Sequence, residues 1–308
     1  MNKILYTKIS KKSFIEDAMR HFVIKYITKK NEKYAARRKN RMAVFANDYI
    51  GMRIYIDEYY EKEEIYELIN IMNLMKIETK LFNAIDVGAN IGNHTSIFAK
   101  HFSHVHSFEP NPHTYKILEF NAGFEDNVTA YNLGLSSENG NLTLSEVVSN
   151  YGASSVIYVK EGSNNVQIEV QKLDDFYDKI NDVGLIKIDV EGMEYQVLSG
   201  ALKIINRDCP VIIFEQHDND FYESGETKSI SLMRSLGYEI LYYKDKNANH
   251  GVFVRRLFNI YEMFFGRKIV TSIVLSKKVA RNYYPMLIAI HPQNIKNSTF
   301  SDLINENQ

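Results

Sequence analysis

Asp86-Val87-Gly88-Ala89-Asn90-Ile91-Gly92-Asn93 closes an apolar run that begins at Ala84 and leads into a helix-compatible stretch, 93–102. A strand that turns through glycines into a helix is the form of a nucleotide-binding turn. Glycine lets the backbone turn sharply and lets a ligand approach without a Cβ in the way. Gly88 and Gly92 are four apart, and Asn90 stands where a GxGxxG dinucleotide turn has its second glycine. Its absence closes the pyrophosphate cradle and disfavours NAD. Asp86, at the strand end, suits a cationic or amine-bearing ligand better than a phosphate.

Downstream of this turn, apolar runs alternate with helical patterns. Strands are expected at Ala84–Val87, Val105–Glu109, Val128–Leu133, Leu185–Val190 and Val211–Glu215, and helices at 93–102, 111–121 and 193–206. In the last helix Met193, Val197, Leu198, Ala201, Leu202 and Ile205 form one apolar face. Such alternation predicts an α/β fold: a mostly parallel sheet with helices on both faces. Residues 141–172 break the alternation with the strand-like runs 142–144, 155–159 and 166–170 and no helix, which predicts an antiparallel β insertion. Tyr238–Tyr243 and Leu287–Ile290 are expected to close the sheet. Leu257, Ile260, Tyr261, Phe264 and Phe265 recur at helical spacing, so 245–286 reads as a helical insertion whose stripe serves as core or dimer contact, or else as a membrane-facing or lid helix.

Upstream, 10–43 reads as a basic helix, 44–56 as a small hairpin, and Ile65, Leu68, Ile69 and Met72 as a helix face packed on a core. The chain therefore divides into an N-terminal helical extension, 1–80, and a larger α/β domain, 81–308. Residues 1–43 hold 13 Lys/Arg against 3 Asp/Glu although the whole chain carries a net charge of -1. That basic arm is expected to attract an anionic substrate or a membrane surface, with salt-sensitive binding; no nucleic-acid partner is expected.

Composition is that of a globular domain, 45% hydrophobic and 24% charged. Cys209, the single cysteine, excludes an internal disulfide and reads as a small buried side chain. No leader and no spanning helix are read, so the expected setting is the cytoplasm, with peripheral contact at the inner membrane surface through the basic arm.

Two further segments carry chemistry. Glu109, in Phe108-Glu109-Pro110-Asn111-Pro112, ends the strand after the glycine turn, where a carboxylate accepts hydrogen bonds from both ribose hydroxyls of an adenosine ligand. In Ile186-Lys187-Ile188-Asp189-Val190-Glu191-Gly192-Met193-Glu194, period two puts Lys187 and Asp189 on one side of a strand. Asp189 and Glu191 fall at the carboxyl end of the sheet, where open α/β folds bind ligands. Three carboxylates within six residues are more than a core strand tolerates. After the next strand, Glu215 and His217 join Asp189 and Glu191 as candidate general bases, Asp189 first. No ligand spacing demands a metal and none is expected, although Asp189 and Glu215 could hold Mg²⁺ through waters. His101, His104 and His106 straddle a helix end and a strand and read as surface residues without a common face.

Asp86 to Gly92, Phe108-Glu109-Pro110, Asn132-Leu133-Gly134-Leu135-Ser136 and Lys187 to Glu194 together resemble the FkbM-type methyltransferase family, over about residues 83–240. The resemblance implies a Rossmann-like methyltransferase fold with S-adenosylmethionine as donor. It also implies Asp86, Gly88, Asn90 and Gly92 around the methionine part, Glu109 on the ribose, and Asn132 to Ser136 near the adenine. The family's acceptors are hydroxyls of sugars or other hydroxylated products, which implies O-methylation. Two readings compete: an NAD-dependent oxidoreductase, and a catalytically silent scaffold that keeps the donor pocket for structure alone.

Overall fold

The computed structural model describes residues 14–35, 41–46, 48–146, 164–222, 225–245 and 271–295. Its centre is an eight-stranded sheet built from β1 (Asn83–Val87), β2 (His104–Phe108), β3 (Val128–Tyr131), β7 (Val183–Ile188), β8 (Val211–Gln216), β9 (Glu239–Asp245), β10 (Thr271–Leu275) and β11 (Tyr284–Ile290). The order is β10-β9-β11-β8-β7-β1-β2-β3. Strands β3, β2, β1, β7 and β8 run parallel, whereas β11 pairs antiparallel with both β8 and β9. The chain runs outward from β1 to β3 and then returns to the other side of β1 as β7. The carboxyl ends of β1 and β7 therefore flank a topological switch point, the ligand-binding position of open α/β sheets.

Alternation along the strands sends side chains to two apolar layers. Ile85, Val87, Ile186, Ile188, Ile212 and Phe214 pack with helices α6 (Glu194–Ser199), α7 (Leu202–Asp208) and α8 (Lys228–Ser235). Ala84, Leu185, Val211, Ile213 and Ile288 pack on the other face against α3 (Lys62–Leu74) and α4 (Asn93–His101). The stripe Ile65, Leu68, Ile69 and Met72 lies buried in this second layer, as its spacing predicts. The Rossmann-like sheet with helices on both faces is thus present, and α5 (Pro112–Ala122) starts where Asn111 caps it by accepting from His113 N–H.

The β insertion is present as a separate sheet, β4-β6-β5, of β4 (Gly134–Leu135), β5 (Gly140–Glu146) and β6 (Asn164–Gln171). The run 155–159 lies outside the described residues. At the N-terminus α1 (Phe14–Ala35) is helical, with Phe14, Ile15, Met19 and Phe22 exposed.

Five expectations need correction. The hairpin at 44–56 is α2 (Tyr49–Asp57): Asp48 caps it by accepting from Gly51 N–H at 3.1 Å, and a capped turn outweighs an apparent alternation of apolar residues. The helix 193–206 is split into α6 and α7 at Gly200, where a Cβ would come within 2.0 Å of the Ser136 carbonyl oxygen. The described part of 245–286 holds β10 and the start of β11 rather than helix, because Thr271–Leu275 pairs with β9; the stripe 257–265 lies outside the described residues. His104 and His106 do share a face, two apart on β2, with rings 4.7 Å apart. His106 is buried beside Tyr131, and burial pushes its imidazole down to about 4. Finally, Cys209 is half-buried rather than enclosed, at the left-handed end of α7, and burial raises its thiol.

Candidate active site

The glycine turn holds its shape through an internal ion pair. Asp86 is fully buried, accepts from Thr95 Oγ1 at 2.7 Å, and faces Lys187 Nζ at 3.1 Å. Lys187 is also buried; its ammonium donates to the Gly88 carbonyl at 2.9 Å and lies 3.5 Å from Asp189 Oδ2. The cation that Asp86 was expected to attract is therefore supplied by the protein. Asp86 shapes the turn and does not line the cavity above it. Gly88 has φ 71°, and a Cβ there would sit 1.8 Å from the Asp189 carbonyl oxygen, so the glycine joins the ends of β1 and β7. Gly92, at φ 91°, starts α4 against Leu118 and also lies off the cavity.

A cavity of about 270 Å³ opens over these strand ends. One end is lined by Gly88, Asn90, Glu109 and Pro110, with Leu135, Leu142, Leu144, Ile168 and Val170 as an apolar wall. Glu109 is buried; its two oxygens accept from Asn90 N–H and Asn111 N–H, each at 2.9 Å. Burial pushes its carboxyl up to about 7 although both amides favour the ionised form. Each oxygen keeps a second lone pair, so a ribose diol can still be received. Asn132 does not line the cavity: its amide ties the Glu109 and Pro110 carbonyls together. Ser136 is buried below, paired through its N–H with Gln171 O. Gly134 and Leu135, between them, are the residues of that segment which line it.

The opposite end is charged and aromatic. Asp189, Glu191 and Glu215 line it from the ends of β7 and β8, joined by Tyr60 and Glu61 from the α2–α3 connection and by Tyr283 and Pro285 from β11 and the residue before it. Asn93 fastens that connection over the cavity: its amide receives Tyr60 N–H at 2.9 Å and donates to Tyr60 O at 2.8 Å. Glu61 then faces His94 Nε2 at 3.4 Å. Tyr283 OH donates to Glu215 Oε1 at 2.5 Å, and His217 Nε2 lies 3.7 Å from the same oxygen. Burial, more than any neighbour, raises the Glu215 carboxyl. Glu194, the third carboxylate of its segment, lies buried beneath, accepts from Gly192 N–H and is pushed up to about 7 by burial.

Residues 86–240 match the model of the methyltransferase FkbM domain, half of the chain. The chain belongs to the FkbM methyltransferase family. A curated relative, Methyltransferase 1 of Beauveria bassiana, is 29% identical over 142 residues, which cover 38% of this chain and 57% of the relative; the chain thus matches little over half of that protein's length. Among solved structures, the FkbM methyltransferase of Methylobacillus flagellatus is 20% identical with a TM-score of 0.35, covering 52% of this chain and 40% of that one. The O-methyltransferase from Bacillus cereus in complex with S-adenosylhomocysteine is 11% identical with a TM-score of 0.41, covering 86% and 90%.

S-adenosylmethionine is the donor of an FkbM methyltransferase, and the residues present fit it. Glu109 presents two carboxylate oxygens to the cavity, as a diol acceptor requires, and the wall of Leu135, Leu142, Leu144, Ile168 and Val170 offers an apolar face of the kind an adenine packs on. Local sequence could not supply Tyr60, Glu61 and Tyr283, which reach the cavity from far along the chain. The strand-like runs 142–144 and 166–170 marked a β insertion, but not what it faces.

Proposed function

We propose that this FkbM methyltransferase transfers the methyl group of S-adenosylmethionine to a hydroxyl of a sugar in a glycan or glycoconjugate. The observation that carries the reading is the two-ended cavity, with the Glu109 carboxylate and an apolar wall at one end and a carboxylate-rich end beside it at the switch point. The donor supplies an already activated methyl on a sulfonium, so the protein has to align an oxygen and exclude water. Asp189 is the base: its carboxylate lines the cavity, and its approach to Lys187 fixes its orientation from below. The rings of Tyr60 and Tyr283 flank an acceptor that needs both an apolar face and hydrogen-bonding groups, as a sugar does. The NAD reading is weakened because the Asn90 amide at the helix entrance donates to Glu109 instead of pointing at a phosphate.

Parallel calorimetric titrations with S-adenosylmethionine, S-adenosylhomocysteine and NAD test the donor, and labelled-methyl transfer to a panel of glycosides tests the acceptor. Asp189→Asn is expected to lower turnover by roughly 10²–10⁴-fold while S-adenosylhomocysteine affinity holds. Binding of NAD alone would overturn the donor, unchanged turnover in Asp189→Asn would overturn the base, and a scaffold would bind the donor with no turnover to lose.

A further inference from the structure

At the acceptor end Glu191, Glu215 and His217 each present one ligating atom, and these atoms all lie within 4.8 Å of one another. We propose that they form a binding site for one divalent first-row cation of the Mn²⁺ type. Glu215 and His217 follow one another at strand period around the end of β8, which puts them on the same side. Glu191 comes from the end of β7 through a turn with φ 52° at Glu191 and 103° at Gly192. A cation with ligands at about 2.0–2.2 Å sets donor atoms roughly 3–4.4 Å apart, so small rotamer changes close the set. Two carboxylates and one imidazole are a mixed oxygen–nitrogen donor set, and they leave coordination positions open to water and to a hydroxylated ligand.

Charge and support point the same way. Five carboxylates line the cavity (Glu61, Glu109, Asp189, Glu191 and Glu215), with no Lys or Arg among the described lining residues. Lys187 lies beneath and already divides its charge between Asp86 and Asp189. Among the described residues the acceptor end is therefore short of positive charge where the three ligating atoms converge. Tyr283, through its hydroxyl on Glu215 Oε1 and its ring 5.3 Å from that of His217, steadies two of the ligands from outside the set.

The consequence for catalysis rests on the methyltransferase reading, whereas the binding itself does not. A cation here polarises the acceptor hydroxyl, and Asp189, which is not a member of the set, takes its proton. The acceptor O–H bond breaks as the O–CH₃ bond forms. The S–CH₃ bond breaks with its electron pair going to sulfur, which leaves S-adenosylhomocysteine.

The test is titration of the chelator-treated full chain with Mn²⁺, read by electron paramagnetic resonance, with S-adenosylhomocysteine calorimetry on the same samples. One Mn²⁺ per chain is expected, weakened at least about tenfold in His217→Asn and in Glu215→Gln, with donor affinity kept. Tyr283→Phe is expected to weaken it less. A wild-type chain that binds no Mn²⁺, or variants that bind it as tightly as wild type, would overturn the proposal. Should the variants fail to fold, Mn²⁺ broadening of the wild-type His217 imidazole resonances decides: broadening supports the site and its absence refutes it. Loss of S-adenosylhomocysteine binding by wild type would sink the methyltransferase reading and leave the Mn²⁺ result standing.

Discussion

The two ends of the cavity are built by different means. The donor end is local: Gly88, Asn90, Glu109 and Leu135 come from the first four strands and their turns, and backbone hydrogen bonds hold Glu109 in place. The acceptor end is assembled from Tyr60, Asp189, Glu215 and Tyr283, spread over more than two hundred positions, and side-chain clamps such as Asn93 hold it. A donor shared by a family can be held by a short motif. An acceptor needs a wall that can be exchanged without disturbing that motif.

The largest effect should come from the pair that underlies both ends. Lys187→Met leaves Asp86 buried without its partner, and thermal or urea denaturation should register a loss of about 3–5 kcal/mol. A loss under about 1 kcal/mol would mean that the two ends do not share this foundation. Glu109→Gln should act at the donor end alone, costing about 1–3 kcal/mol of S-adenosylhomocysteine affinity by calorimetry. Its pH behaviour follows from the raised carboxyl. The ionised form receives the ribose hydroxyls, so wild-type affinity should fall as pH drops through about 7, and the Gln variant should lose that dependence. Asn93→Ala should act on the acceptor end, raising proteolytic cleavage near 58–62 and costing about 1–2 kcal/mol, with donor affinity unchanged. A fall in donor affinity there would erase the distinction between the ends. Removing residues 1–40 should change stability least, by about 0.5 kcal/mol or less, since Phe14, Ile15, Met19, Phe22 and Ile24 of α1 are exposed. The same truncation should abolish salt-sensitive binding to anionic vesicles; vesicle binding that survives it would refute the role given to the basic arm.

The same contrast explains what the sequence made legible. The central strands and the place of Glu109 in the cavity wall follow from contiguous patterns: an apolar run, a glycine turn, an acid one strand later. Asp86 was placed in the right motif but on the wrong partner, because its cation, Lys187, lies a hundred positions away. Asn132 and Ser136 flank the two residues that line the cavity, an offset that alternation alone does not resolve. The helix at 49–57 was hidden because one capping carboxylate, Asp48, decides between two readings of the same apolar residues. No helix among the described residues is long and apolar enough to cross a membrane.

The small β4-β6-β5 sheet turns Leu144, Ile168 and Val170 toward the cavity, and these three form an apolar cluster of their own. So small a cluster protects its strands weakly by itself. On the proposed function an adenine laid against it would act as the missing half of a miniature core, and donor binding would double as local folding energy. Amide exchange in 140–146 and 164–171 should then slow on donor binding more than exchange in β1 or β7, and the sheet becomes a built-in reporter of occupancy.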